Sequence, residues 1–272
     1  MKSLLSLHGL QIMELTEIAY ILKRFEPVGL NGMTEVRYMN RIDTKYLFSV
    51  SKLPLLLQNV SPLYQALEID LQREFRYKTV YFDTPEHLFY NQHVTGKLNR
   101  SKVRIRTYET NGLTFLEVKQ KSNKGRTSKS RLEREPGDMN HIEQSREFLT
   151  ELVAGDANSL KAVINTGFSR ITLVNLQKAE RITIDYNISW NNLKGDCVEM
   201  PYLAIAEIKS EKSTSLSPFF QQLKHLGIRS TGFSKYAMGM ALVNGVPKQN
   251  ILKPKFLLLN RIRDEYYRNG AA

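Results

Sequence analysis

Polar and apolar residues alternate one for one along several stretches of this chain. In Arg100-Ser-Lys-Val-Arg-Ile-Arg106, cations fall at Arg100, Lys102, Arg104 and Arg106, with Val103 and Ile105 between them. Successive strand side chains point to opposite faces, so this run carries its charge on one face and its apolar groups on the other. The pattern recurs at Arg41, Asp43 and Lys45, and at Glu117, Lys119 and Lys121 against Leu116 and Val118. Arg131, Glu133 and Glu135 repeat it, as do Arg181, Thr183 and Asp185 against Ile182 and Ile184, and Glu207 and Lys209 flanked by Ile205 and Ile208. One such strand is ordinarily a solvated face. Recurrence in separate segments predicts a common interior, because a sheet that closes sends alternate residues inward. The expected fold is α+β: an antiparallel barrel with a polar, basic tunnel, and helices covering its apolar outer face.

Helical spacing appears elsewhere. Leu15, Ile18, Ile21, Leu22 and Phe25 predict a helix over 14–25, ended by Pro27 and Gly29. Helices are also expected over 51–60, over 140–153 with Gly155 closing it, over 234–243 and over 255–268. Ser217 and Pro218 start another, whose stripe is Phe219, Phe220, Leu223 and Leu226. Strands are expected near 36–48, 78–83, 168–176, 180–190 and 201–210, and Asn111-Gly112 turns a hairpin between 100–109 and 113–121. The organisation reads as an extension and helix over 1–30, one domain over 31–245 and a helical tail over 246–272 packed on it.

Charge narrows the partners. The 272 residues carry a formal charge of +12, which favours nucleic acid, phosphate-rich molecules or acidic lipid. Aromatic residues do not interleave with the basic faces as stacking platforms would, which disfavours nucleic acid. No apolar run is long enough to span a membrane. Cys197, the single cysteine, excludes an internal disulfide and fits a cytoplasmic setting. Residues 1–10 read as a short extension, not a signal peptide, with Met13 an alternative start. Gly125-Arg-Thr-Ser-Lys-Ser130 lacks the second glycine and the strand-to-helix context of a phosphate-binding loop. What remains is a tunnel of lysine and arginine donors suited to phosphate oxygens, with Glu117 and Glu207 as hard oxygen ligands for a metal ion.

At these residues the chain resembles the vacuolar transporter chaperone (VTC) domain, a polyphosphate polymerase family of the triphosphate tunnel superfamily. The resemblance runs from about Arg41 to Ala241. Its pieces are Arg41-Ile-Asp-Thr-Lys-Tyr46, Tyr81-Phe-Asp-Thr84, Lys102-Val-Arg-Ile-Arg-Thr-Tyr108, Phe115-Leu-Glu-Val-Lys119, Lys129-Ser-Arg131, Arg181-Ile-Thr-Ile-Asp185, Glu207-Ile-Lys209 and Phe233-Ser-Lys-Tyr236. It implies an eight-stranded antiparallel tunnel, ATP as donor, a growing polyphosphate chain as acceptor, and a divalent metal, Mn2+ ahead of Mg2+. It implies catalytic roles for Lys45, Arg104, Arg106 and Arg181, and phosphate or nucleotide binding by Lys119, Lys129, Arg170, Ser234 and Lys235. Phe168 falls where the family places an aromatic near the base, His93 where eukaryotic members carry an arginine, and Glu207 on the metal-binding carboxylate. A membrane-bound partner protein is a further implication. The chain departs from the pattern at Thr231 and Gly232, where a lysine is missing, and in the shorter Arg170–Arg181 spacing. Arg41-x-Asp43-x-Lys45 stands in place of the Glu-x-Glu-x-Lys of the wider superfamily. The competing readings are hydrolysis of triphosphate or polyphosphate in the same tunnel, and a non-catalytic polyanion-binding domain.

Overall fold

A computed structural model describes residues 4–33, 42–124, 126–139, 141–153, 157–210 and 214–269. Arg41, positions 36–41 of the first expected strand, and Gly155 lie outside the described residues.

Eight strands form one continuous antiparallel path: β2 (Ile42–Ser49), β11 (Leu203–Ser210), β9 (Glu180–Asn191), β8 (Lys161–Asn175), β4 (Glu74–Asp83), β5 (Arg100–Tyr108), β6 (Thr114–Lys121) and β7 (Thr127–Arg134). Three short strands complete the sheet. β1 (Glu26–Val28) pairs in parallel with β3 (Gln65–Leu67), β3 pairs with β8, and β10 (Cys197–Met200) pairs with β9. The path curls around a basic interior, but among the described residues β2 and β7 do not pair, so the expected closed barrel is an open-seamed sheet. The edge chemistry accounts for the seam. β7 exposes most of its length and carries Lys129, Arg131 and Arg134, and charged edges resist further strand pairing.

Pleating sorts the side chains as the alternation predicts. Val103, Ile105, Leu116, Val118, Ile182 and Ile184 are fully or almost fully buried on the outer face. Register places the inner residues opposite one another: Arg104 by Glu117, Lys102 by Lys119, Arg170 by Asp185, Glu207 by Lys45 and Lys209 by Asp43. One expectation needs correcting. Ile205 pairs with Asp185, so it shares the inner face with Glu207 instead of flanking it on the other side.

Helices cover the outer face. α1 (Leu4–Leu22) runs further toward the N-terminus than the periodicity suggested and stops sooner, because Arg73 donates 2.6 Å hydrogen bonds to the Leu22 and Phe25 carbonyls. α2 (Leu53–Val60) lies against α1 and against α5 (Pro218–His225), whose cap Ser217 accepts from the Phe220 N–H. α3 (Leu88–Val94) and α4 (Arg146–Leu152) are short. α6 (Lys235–Val243) sits on β8 and β9 through Gly239, where a Cβ would lie 2.2 Å from the Trp190 ring. Trp190 Nε1 donates to the Lys235 carbonyl at 2.8 Å, fixing the first turn of α6 at the rim of the interior. α7 (Lys253–Asn269) is tied to the domain by Lys52–Glu265 (2.6 Å) and by Tyr266 donating to Glu14 (3.0 Å). Among the described residues no helix is long and apolar enough to cross a membrane.

Candidate active site

The inner face is divided along its length. At one end Tyr77 and Phe168 stack with centroids 5.1 Å apart and planes 3° from parallel, while Tyr108 meets Tyr77 at 4.9 Å and Phe115 at 5.9 Å. Arg106 and Arg170 lie over this aromatic floor, 5.2–5.5 Å from the Tyr77 and Phe168 centroids. Above it opens a cavity of about 1290 Å³, lined by thirteen lysine and arginine residues against three carboxylates, Asp43, Asp185 and Glu207.

Carboxylates hold six of these cations in place. Arg170 reaches Asp185 through two hydrogen bonds of 2.5 and 2.8 Å, and Lys235 takes the same carboxylate. Lys45 (3.2 Å) and Lys209 share Glu207, and Lys209 also reaches Asp43 at 3.3 Å. Glu117 lies just beneath the cavity surface, 1% exposed, and accepts from Arg104 at 2.7 Å and from Lys129. Burial alone would raise Glu117, Asp185 and Glu207, but their cationic neighbours hold all three well below the usual carboxylate range. All three are therefore ionised at neutral pH and committed to cations.

Three other cations differ. Among the described residues Lys102, Arg106 and Lys119 make no ion pair with a carboxylate. Lys102 Nζ donates to Ser234 Oγ at 2.9 Å, and Arg106 Nε to Thr79 Oγ1 at 3.1 Å. Burial and the surrounding cations push Lys102 well below the ordinary lysine value and also lower Lys119 and Arg106. Lys129 is lowered to about 8, by burial first and then by Arg104 and Arg106. Desolvated cations without counter-ions are costly unless an anion is to arrive.

The structure thus gathers Lys45, Arg104, Arg106, Lys119, Lys129, Arg170, Arg181, Glu207, Ser234 and Lys235 on one cavity wall. Two expected residues lie elsewhere. Phe168 is only 4% exposed and packs below Arg106, Arg170 and Lys235, so it offers no free face to a base. His93 belongs to α3, and its Nδ1 is buried without a hydrogen-bond partner. Cavity residues that the alternation includes but to which no site role was assigned are Lys102 and Lys209, each an alternate position from a residue that has one. Within Tyr81-Phe-Asp-Thr84, Tyr81 lines the cavity. Asp83 is structural: it accepts from the Phe89 and Tyr90 N–H groups and from the Tyr236 hydroxyl, tying α3 to α6.

Among the described residues no three His, Cys, Asp or Glu side chains converge as a metal cage. Glu207 and Asp43 face the same part of the cavity, linked through Lys209. One carboxylate completed by ligand phosphate oxygens is an ordinary way to hold a small divalent cation. Both carboxylates are paired with cations, but Glu207 lines the cavity with its side chain 17% exposed and fits that role, whereas Glu117, 1% exposed beneath the wall, does not.

His93 makes a pH-sensitive contribution. Burial, then Lys102, Arg100, Lys45 and Lys119, depress it from 6.5 to about 3. The folded state therefore binds fewer protons than the unfolded chain, and this contribution is present above pH 6.5 and lost as pH falls toward about 3. Between pH 6.5 and 5, before unfolded carboxylates titrate, the melting temperature should fall with acidification, and less so in His93→Gln. Parallel slopes in a thermal-melt series would show that His93 is not held neutral.

The VTC domain profile matches residues 40–244. The chain belongs to the VTC domain family. The match includes every candidate residue named above and the whole eight-strand path except its flanking helices. No curated protein matches the sequence. Among solved structures, the chain is similar to a Hippeastrum protein described as an adenylyl cyclase candidate with a dominant triphosphatase activity (18% identity, 75% of this chain and 96% of that one, TM-score 0.48). It is similar to PH1819 of Pyrococcus horikoshii (14% identity, 74% and 96% coverage, TM-score 0.43) and to an adenylate cyclase candidate of Vibrio parahaemolyticus (13% identity, 72% and 95% coverage, TM-score 0.42).

Proposed function

We propose that this VTC domain protein is a phosphotransferase that moves the γ-phosphoryl group of ATP onto the end of a polyphosphate chain and releases ADP. The observation that carries the reading is the set of desolvated cations, Lys102, Arg106 and Lys119, facing a cavity without carboxylates of their own. An oxygen of the acceptor's terminal phosphate attacks the γ-phosphorus as the bond to the β–γ bridging oxygen breaks, and the electron pair leaves with ADP. The acceptor is already an anionic nucleophile, so the step needs no general base. Positioning and charge stabilisation carry most of such a reaction. Arg104, Arg106 and Lys45 hold the donor phosphates. Lys119, Lys129, Arg170 and Arg181 orient the transferred group and the acceptor. A divalent cation, Mn2+ or Mg2+, held at Glu207 would neutralise charge on the leaving diphosphate.

Hydrolysis of the same donor is less well served. A water nucleophile benefits from a base, and the carboxylates Glu117, Asp185 and Glu207 are clamped by cations with their pKa values depressed. His93 is outside the cavity wall. The test is incubation with ATP, Mn2+ and a short polyphosphate primer, with polymer, ADP and free phosphate measured together. The expected result is a metal-dependent ladder with ADP and little free phosphate, lost in a folded Glu207→Ala variant. Free phosphate without a ladder would make the protein a hydrolase. Primer binding without turnover would make it a polyanion-binding domain.

A further inference from the structure

A second cleft, of about 540 Å³, opens beside the main cavity between α3, the start of β5 and the β6–β7 turn. Its wall holds Lys97, Arg100, Lys121 and Arg126 and no carboxylate. Lys121 and Arg126 belong to the wall of the main cavity as well, so the two spaces meet at their side chains. Among the described residues none of these four cations makes an ion pair. Arg100 donates to the Lys97 carbonyl at 2.6 Å, which holds the loop before β5 against the strand.

The position of the cleft follows from the β5–β6 register. From the aromatic floor outward the paired residues are Arg106 with Phe115, Arg104 with Glu117, Lys102 with Lys119, and Arg100 with Lys121. Carboxylate compensation thus disappears toward the rim, while positive charge continues on both strands. The last rung opens onto the second cleft. We propose that this cleft is a distal subsite for the same ligand, holding phosphates of an extended polyphosphate chain that leaves the main cavity between Lys121 and Arg126.

The lining selects the ligand class. Around the cations the wall offers carboxamides and hydroxyls, such as Gln120 and Ser101, which suit phosphate oxygens. Its single aromatic, Phe89, is 1% exposed and presents no stacking face. A bare phosphate chain fits this wall better than single-stranded nucleic acid, whose bases would need such a face.

The inference rests on the polyphosphate reading above, and its test separates the two. Lys97→Gln/Arg100→Gln alters residues that line only the distal cleft. Binding of tripolyphosphate, of a polyphosphate many tens of units long and of a homopolymeric oligodeoxynucleotide would be measured by calorimetry at fixed ionic strength. The expected result is unchanged tripolyphosphate affinity and about a tenfold or greater loss for the long chain, the scale of one or two charge-assisted contacts. Equal long-chain affinity in the variant and wild type would overturn the subsite, as would an equal loss for both phosphate ligands. A variant-sensitive oligonucleotide with insensitive polyphosphate would reassign the cleft to nucleic acid. Failure of the wild type to bind either phosphate ligand would instead overturn the main-cavity reading.

Discussion

Arg106→Met should melt at a higher temperature than the wild type while losing phosphoryl transfer by about 10³-fold or more, the scale at which an arginine aimed at transferring phosphate contributes. Arg106 is 6% exposed, and its one hydrogen bond among the described residues runs from Nε to Thr79. Arg104 and Arg170 crowd it, and burial with their repulsion lowers its proton affinity. In the free protein this guanidinium is a cost, offset in part by the faces of Tyr77 and Phe168. Methionine fills much of the same volume and packs well against those rings. Relief of the unpaired charge should raise stability by about 1–2 kcal/mol, a few degrees of Tm. Tripolyphosphate should raise the melting temperature of the wild type by more than that of the variant. A variant that melts lower and still turns over would make Arg106 a structural residue.

The same tension between stability and function explains what the chain revealed. Alternation on β5, β6 and β9 fixed which side chains share the interior, because strand period depends on local order alone. Closure of the sheet does not: it depends on whether β2 and β7, distant in sequence, present edges that pair. β1, β3 and β10, of three or four residues, were too short to show a period. Phe168 stands two residues from Arg170, where the resemblance implies an aromatic near the base. Its burial depends on Tyr77 from β4, a tertiary contact no spacing reports. Lys102 was legible in the pattern, and its desolvation became visible only with Lys45, Lys119 and Arg100 gathered around it.

Glu117 separates positioning from metal binding. Glu117→Ala removes the carboxylate between Arg104 and Lys129 and leaves buried positive charge uncompensated, which should cost about 3–5 kcal/mol. Glu117→Gln keeps the shape. Its cavity is more positive, so tripolyphosphate should bind a few-fold more tightly, while turnover falls by roughly 10²-fold because Arg104 loses its two-point hold. The wild-type carboxylate titrates below its usual 4.5, so its contribution is present above that pH and lost as acid protonates it. The glutamine variant should therefore show a weaker acid dependence of Tm. Glu117 also supports the proton on Lys129, which sits at about 8. Without that support, the alkaline limb of the rate profile should move to lower pH. The metal concentration needed for half-maximal rate should stay unchanged. A marked rise in that concentration would instead make Glu117 a metal ligand.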